Sequence, residues 1–309
     1  MLFEEDYSVL RLKTPKFKET NYFMRTFNEF LMPYAMRRQF HYSSISQTKW
    51  DAIIWYSPSI FHGSFIKFLK NNSKCKTYLI IRDIFPDWAV DLGLMKRGLI
   101  FRFLKYFADY QYSIADIIGV QTDSNKTHFS EWVVSDSKTL QVLPNWLGQR
   151  PNKVCSIQID RTKLSGRTIL VYAGNLGVAQ GLDCMFNLAL ENRCKKDLGF
   201  IFVGRGSEKK RFKAFVKNNY LNNVLFFDEI PSDEIPDLYS QCDIGLVSLS
   251  SLHKIDNIPG KFISYMQNGI PCLASVNEHN DLAILIEKEG VGRVSQINDL
   301  ADLSKKLTE

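Results

Sequence analysis

Lys261 follows Pro259 and Gly260 in "DNIPGKFISYMQNGIPCLASV", a loop that opens an amphipathic helix and runs on into an apolar strand. A cation in the first turn of a helix opposes the positive end of the helix dipole. A bound anion removes that conflict, because the ammonium and the unpaired amides of the turn then share one partner. Two glycine-rich turns offer more amides. "AGNLGVAQG" carries Gly174, Gly177 and Gly181, and "FVGRGSEKK" carries Gly204, Arg205 and Gly206 ahead of a helix starting near Ser207. Glycine lets backbone N–H groups come close to an anion or a sugar. The same residues also serve a plain strand-to-helix turn, Ser207 a plain N-cap, and Lys261 a solvated position.

Other chemistries find little support. The five histidines show no metal-ligand spacing and no DxD pair is present, so neither a metal nor another cofactor is expected. The six cysteines are scattered and read as buried free thiols. No apolar run approaches the ~18 residues of a spanning helix, and the N-terminus does not read as a signal peptide, so the expectation is a cytoplasmic protein.

The elements that must position these residues alternate. After Ser165 the apolar runs "TILVYAGN", "GFIFVGRG", "NVLFFDEI", "DIGLVSLS", "PCLASV" and "GVGRVSQ" are separated by helical patterns. Before it, "WDAIIWYSP", "KTYLIIRD", "ADIIGVQT" and "TLQVLPN" repeat the theme. Continuous apolar strands between helices imply parallel sheets covered on both faces. The fold class is α/β, two Rossmann-like doubly wound domains facing a cleft, with 1–165 as one domain and 166–309 as the other, joined at the polar "RPNKVCSIQIDRTKLSGR". Of the net charge of +6, the first 165 residues hold +8 (23 Lys and Arg against 15 Asp and Glu), which points to an anionic partner there.

Five segments in order, "RDIFPDWAVDLGLM", "VLPNW", "YAGNLGVAQGLD", "FVGRGSEKKRF" and "IPGKFISYMQNGIPCLASV", resemble the retaining, nucleotide-sugar-dependent glycosyltransferases of family 4, which have the GT-B fold. Within them the chain looks closest to bacterial O-antigen and capsule enzymes, including those proposed to transfer N-acetyl-fucosamine. Against that pattern it looks shortened at both ends, leaving the N-terminal domain incomplete.

The resemblance implies a donor site. Where much of the family has Arg and Lys gripping the diphosphate, this sequence has Asn175 and Gln180, and Lys261 is the candidate to supply the missing charge. The family's two glutamates fall on Asp256, near the transferred sugar, and on Ser264, at the ribose hydroxyls. The Gly204–Gly206 loop is implied to lie beside the nucleotide, with Arg205 at phosphate or base, and "FFDEIP", which includes Asp228, to pass the base. Arg82 and Asp83 follow a strand where the family often has a histidine that positions the sugar. Arginine cannot act as a base there, so Arg82 binds an anion or hydroxyl or forms a structural pair with Asp83. Asp87 and Asp91 are further candidates. No metal is implied; the leaving diphosphate itself takes the acceptor's proton in a front-face reaction.

The implied function is transfer of a sugar, from a UDP-sugar, onto a polyprenyl-diphosphate-linked oligosaccharide of O-antigen or surface polysaccharide, with retention. The other reading is a non-catalytic remnant or interaction module of the same fold. In "MKRGLIFRFLKYFADYQY" the residues Leu99, Phe103, Tyr106 and Tyr110 form one helical stripe with Arg97, Arg102 and Lys105 off it, and "NYFMRTFNEFLMPYAMRRQF" has a similar mixture. Such helices either cover a core or lie in a bilayer interface, and the second option suits a peripheral enzyme on the cytoplasmic face of the inner membrane. No nucleic-acid reader motif is present, and no nucleic-acid partner is expected.

Overall fold

The computed structural model describes residues 2–4, 7–15, 21–57, 59–132, 138–149, 153–250, 252, 258–278, 280–296 and 299–309. The chain forms two compact units, Met1–Leu143 and Pro144–Glu309. The division therefore falls before Ser165. The polar stretch ending at Arg167 reads as a linker by composition, yet Cys155, Ile157, Ile159 and Leu164 are buried in the core of the later unit. Cys155, Ile157 and Ile159 alternate with polar residues, and those polar residues set the average. Side chains of the same unit hold the backbone: Asp237 accepts from the N–H of Cys155 at 2.8 Å, and Gln241 from that of Ile159 at 2.9 Å.

The later unit is built on six parallel strands in the order Gly292–Gln296, Cys272–Val276, Ile244–Ser248, Thr168–Ala173, Leu198–Val203, Val224–Phe227. Counted along the chain from Thr168, this is the Rossmann order 3-2-1-4-5-6, with the reversal of winding between Thr168–Ala173 and Ile244–Ser248. Alternate residues feed opposite cores. Val171, Ile201 and Val247 pack with Tyr239, Phe262 and Tyr265 on one face. Leu170, Phe200 and Leu246 pack with Met185, Phe186 and Phe212 on the other, where Phe186 stacks between Phe202 at 4.2 Å and Phe212 at 4.1 Å. Burial on both faces is why these strands read as continuous apolar runs. A closing helix, Leu300–Lys306, was not legible as a separate element, and its Leu303 is buried against the second core.

The two strands at the reversal pair only at Ile244–Leu170 and Gly245–Val171. Beyond that point Tyr265 takes over. Its hydroxyl lies 3.1 Å from the carbonyl oxygen of Val171 and 3.0 Å from that of Leu246, one on each strand. A Cβ on Gly245 would run into the Tyr265 ring, so glycine is what admits the tyrosine. The helix Gly260–Gln267 is thereby pinned over the place where the strands part.

The earlier unit has four parallel strands in chain order, Ala52–Ser57, Lys76–Ile81, Ile117–Val120 and Thr139–Val142, and a short hairpin, Leu2–Glu4 with Tyr7–Val9. One sheet face is packed: Ile53, Trp55, Leu79, Ile81 and Ile118 are buried. The helix Leu99–Ile114 turns Phe101, Leu104, Ala108 and Tyr112 to the core. The stripe singled out in the sequence is thus not the core stripe, for Leu99, Phe103 and Tyr106 are exposed. Of the cysteines, Cys155, Cys184, Cys242 and Cys272 are buried, but Cys194 is exposed and Cys75 intermediate.

Candidate functional site

The carboxyl ends of the first two strands of the later unit carry the glycine turns, and backbone bonds join one turn to the other. The N–H of Gly174 donates to Val203 O at 2.9 Å, that of Leu176 to Arg205 O at 2.7 Å, and that of Glu208 to Leu176 O at 3.0 Å. Gly204 has φ +149°, and a Cβ there would meet the carbonyl oxygen of Gly174. Only glycine permits this approach.

Lys261 is the second residue of the helix Gly260–Gln267, whose N-cap, Pro259, provides no side-chain hydrogen bond and whose first turn has no acidic residue. The side chain runs back over the sheet. Its Nζ lies 4.8 Å from the centroid of the Tyr172 ring, and its Cε would be 3.4 Å from a Cβ on Gly174. Burial pushes its pKa down to about 8. Among the described residues, no carboxylate is paired with it. A desolvated ammonium and the uncapped start of a helix therefore converge, beside the two glycine turns, on one cavity of about 450 Å³, lined by Gly174, Asn175, Gly204, Arg205, Lys261 and Ser264, together with Tyr239, Glu229 and Ser232. Such an arrangement is able to accept an anion.

Residues 157–309 match the family described as Glycosyl transferases group 1. That part of the chain is a group 1 glycosyl transferase domain. The chain is 24% identical over 240 residues to a Pseudomonas aeruginosa protein named probable glycosyltransferase WbjE, covering 76% of this chain and 59% of that one. It is 24% identical over 279 residues to an Escherichia coli (strain K12) protein named putative colanic acid biosynthesis glycosyl transferase WcaI, covering 82% of this chain and 67% of that one. The chain thus spans less than two thirds of the length of WbjE. Among solved structures, sucrose-phosphate synthase from Thermosynechococcus elongatus aligns with 97% of this chain and 72% of its own, at a TM-score of 0.69 and 15% identity. Anabaena Alr3699/HepE, solved with UDP-glucose, aligns with 89% of this chain and 71% of its own, at 0.65 and 14%. The fold is GT-B, two Rossmann-like domains.

In the glycosyltransferase domain, six of the expected donor residues line the cavity, and four do other work. Gln180 accepts from the N–H of Gly177 and from Asn175 Nδ2, both at 3.1 Å, so its side chain shapes the turn. Gly177 is buried inside that turn. Gly206 has φ +154°, and a Cβ there would strike the backbone of Leu176. Asp228 points outward and pairs with Lys209 and, at 3.9 Å, with Lys213. Arg205 is paired with Glu229 at 3.2 Å on the rim of the cavity. Asp256 lies outside the described residues.

In the earlier unit Arg82 donates to Leu143 O at 2.8 Å. Burial draws its pKa down and the neighbouring Tyr56 and Tyr78 push it back; the guanidinium stays charged at any physiological pH. Asp83 is exposed. Asp87 is buried beside Lys105 at 3.4 Å and His128 at 3.7 Å. Burial raises its pKa, but the hydrogen bond of His128 and the charge of Lys105 outweigh it and hold the carboxyl low. Two further residues of the site, Tyr172 and Tyr239, have no role assigned by the motifs. Tyr172 is the second-last residue of the first strand, its hydroxyl donating to Asn175 O at 2.7 Å, and it offers its ring to Lys261. The aromatic residue just before "AGN" was the available signal.

Proposed function

We propose that this chain is a glycosyltransferase that binds a nucleotide-sugar, a UDP-sugar, in the cavity of the later unit and transfers the sugar, with retention, to a lipid-linked oligosaccharide in bacterial surface polysaccharide synthesis, O-antigen included. The observation that carries the reading is the placement of Lys261 between the Tyr172 ring and the Gly174 turn. The relatives' names favour the polysaccharide context, and the UDP-glucose complex of Alr3699/HepE favours the UDP-sugar.

The chemistry follows from the charge. As the bond from sugar to diphosphate breaks, negative charge builds on the leaving oxygens. Lys261 and the amides at the start of its helix stabilise that charge without a metal, because they are oriented before the reaction and partly shielded from water. Arg205 adds a second cation at the rim, and Ser264, one helical turn beyond Lys261, offers a hydroxyl to the ribose. Asp256 is proposed near the transferred sugar, and Arg82 and Asp83 on the acceptor side. The leaving phosphate takes the acceptor's proton. The acceptor's lipid places the enzyme on the cytoplasmic face of the inner membrane as a peripheral protein.

Thermal unfolding with a panel of nucleoside diphosphates tests the donor site. UDP is expected to raise the melting temperature, and Lys261→Ala to abolish the rise. Indifference of the unsubstituted protein to every nucleotide would overturn the reading.

A further inference from the structure

The earlier unit carries a surface that its own packing does not explain. The helix Tyr22–His41 presents Phe23, Phe27, Phe30 and Tyr34 at spacings of four, three and four, so all four share a face. Leu99, Phe103 and Tyr106 do the same on the helix Leu99–Ile114. The two stripes meet, for the Phe30 ring lies 6.2 Å from that of Phe103 and 5.5 Å from that of Phe107. Away from this seam the side chains stand in water: Phe23 is 80% exposed and Leu99 83%, and Phe27, Tyr34, Ile100 and Tyr106 are each more than half exposed. Exposed apolar residues in one joined patch mark a binding surface; scattered ones would not.

The charge says what covers it. On the two helices and the turn Met95–Gly98 there are seven Lys and Arg against two carboxylates. Both carboxylates are already paired, Glu29 with Arg25 at 2.8 Å and Asp109 with Lys105 at 3.3 Å. Arg37, Arg38, Lys96, Arg97 and Arg102 are exposed. Arg38 lies one turn past Tyr34 and Arg102 one turn past Leu99, so the cations border the aromatic stripe on its own face. A second copy of the chain would bring the same cations together. A sheet of anionic headgroups over hydrocarbon matches both features, since aromatic rings sink to the headgroup boundary and long basic side chains reach the phosphates.

We infer that the paired stripes of Tyr22–His41 and Leu99–Ile114 dock this protein on an anionic lipid bilayer. This names the surface behind the membrane part of the proposed function, and it does not depend on the donor site.

The experiment is flotation of the full chain with phosphatidylcholine vesicles, with and without phosphatidylglycerol, at low and high salt. Phosphatidylglycerol is expected to promote binding and salt to weaken it. Arg38→Gln with Arg102→Gln is expected to lower affinity for the anionic vesicles by about 30-fold, from the contribution of each basic residue near such a surface. Phe23→Ser with Leu99→Ser, at strongly exposed positions, should lower it by roughly tenfold or more. Stabilisation by UDP, read on the same proteins, reports the donor site separately and is expected to be equal in all of them. The inference is overturned if the unsubstituted chain fails to float with anionic vesicles at low salt, or if both double variants bind as it does. It is overturned equally if the chain is a dimer that Phe23→Ser with Leu99→Ser dissociates while vesicle binding is unchanged.

Discussion

Lys261 Nζ stands 4.8 Å from the centre of the Tyr172 ring. The ring belongs to the strand that ends in the Gly174 turn, and the lysine belongs to a helix more than eighty residues later. A cation over an aromatic face is attracted by the ring's quadrupole, so Tyr172 holds the ammonium over the turn. Burial works in the other direction and lowers its pKa to about 8. The site keeps a charge that the fold alone would rather lose.

Replacing that charge should separate function from stability. Below pH 8 the folded protein carries a partly desolvated ammonium that the unfolded chain solvates freely. Lys261→Met is therefore expected to raise the ligand-free stability at pH 7 by roughly 1–2 kcal/mol, after allowance for the solvent that reaches the side chain. The same variant should lose stabilisation by UDP. Denaturant unfolding with and without UDP reads both effects.

The pH dependence follows with its sign. The folded pKa, about 8, lies below the ordinary lysine value of 10.5, so between these two the unfolded chain binds more protons and stability rises with pH. Nucleotide binding runs the opposite way. An anion favours the charged lysine, so affinity for UDP should fall as pH rises through 8. Titration calorimetry near pH 8 in buffers of different ionisation enthalpy should show proton uptake on binding, absent in Lys261→Met.

Gly204→Ala places a methyl group against the carbonyl oxygen of Gly174 at φ +149°. Because the backbone of each turn is bonded to the other, neither can move alone. The expected cost is about 2 kcal/mol or more, with weakened UDP binding, measured by denaturant titration and thermal shift.

Tyr265→Phe removes the hydroxyl that bridges Val171 and Leu246 where their strands part. A loss of roughly 1–2 kcal/mol is expected. Amide exchange should speed up at the ends of those two strands and in the helix Gly260–Gln267 before it does elsewhere.

Arg205→Ala tests whether the rim cation serves the ligand. Its pair with Glu229 is exposed on both sides, and stability should change by less than about 0.5 kcal/mol. Affinity for UDP should fall by about tenfold, the scale of one charge-assisted hydrogen bond. Calorimetry of the variant checks both numbers.

The sequence by itself determined the α/β class, the run of strands and helices, and the opening of one helix at Gly260 with a cation in its first turn. Those features are local: unbroken apolar runs, glycine and proline at strand ends, and periodicity in between. The tertiary structure decided which side chains share a space. It placed Tyr172 beside Lys261 and Tyr239 in the wall of the same cavity, drew Gln180 and Gly177 inside a turn, sent Asp228 outward to two lysines, and moved the unit boundary to Leu143. It also turned Leu99, Phe103 and Tyr106 to solvent, although their spacing serves a core equally well. Helical periodicity names the faces of a helix but not what covers each one, and the approach of residues far apart in the chain depends on strand order and register, which no local pattern encodes.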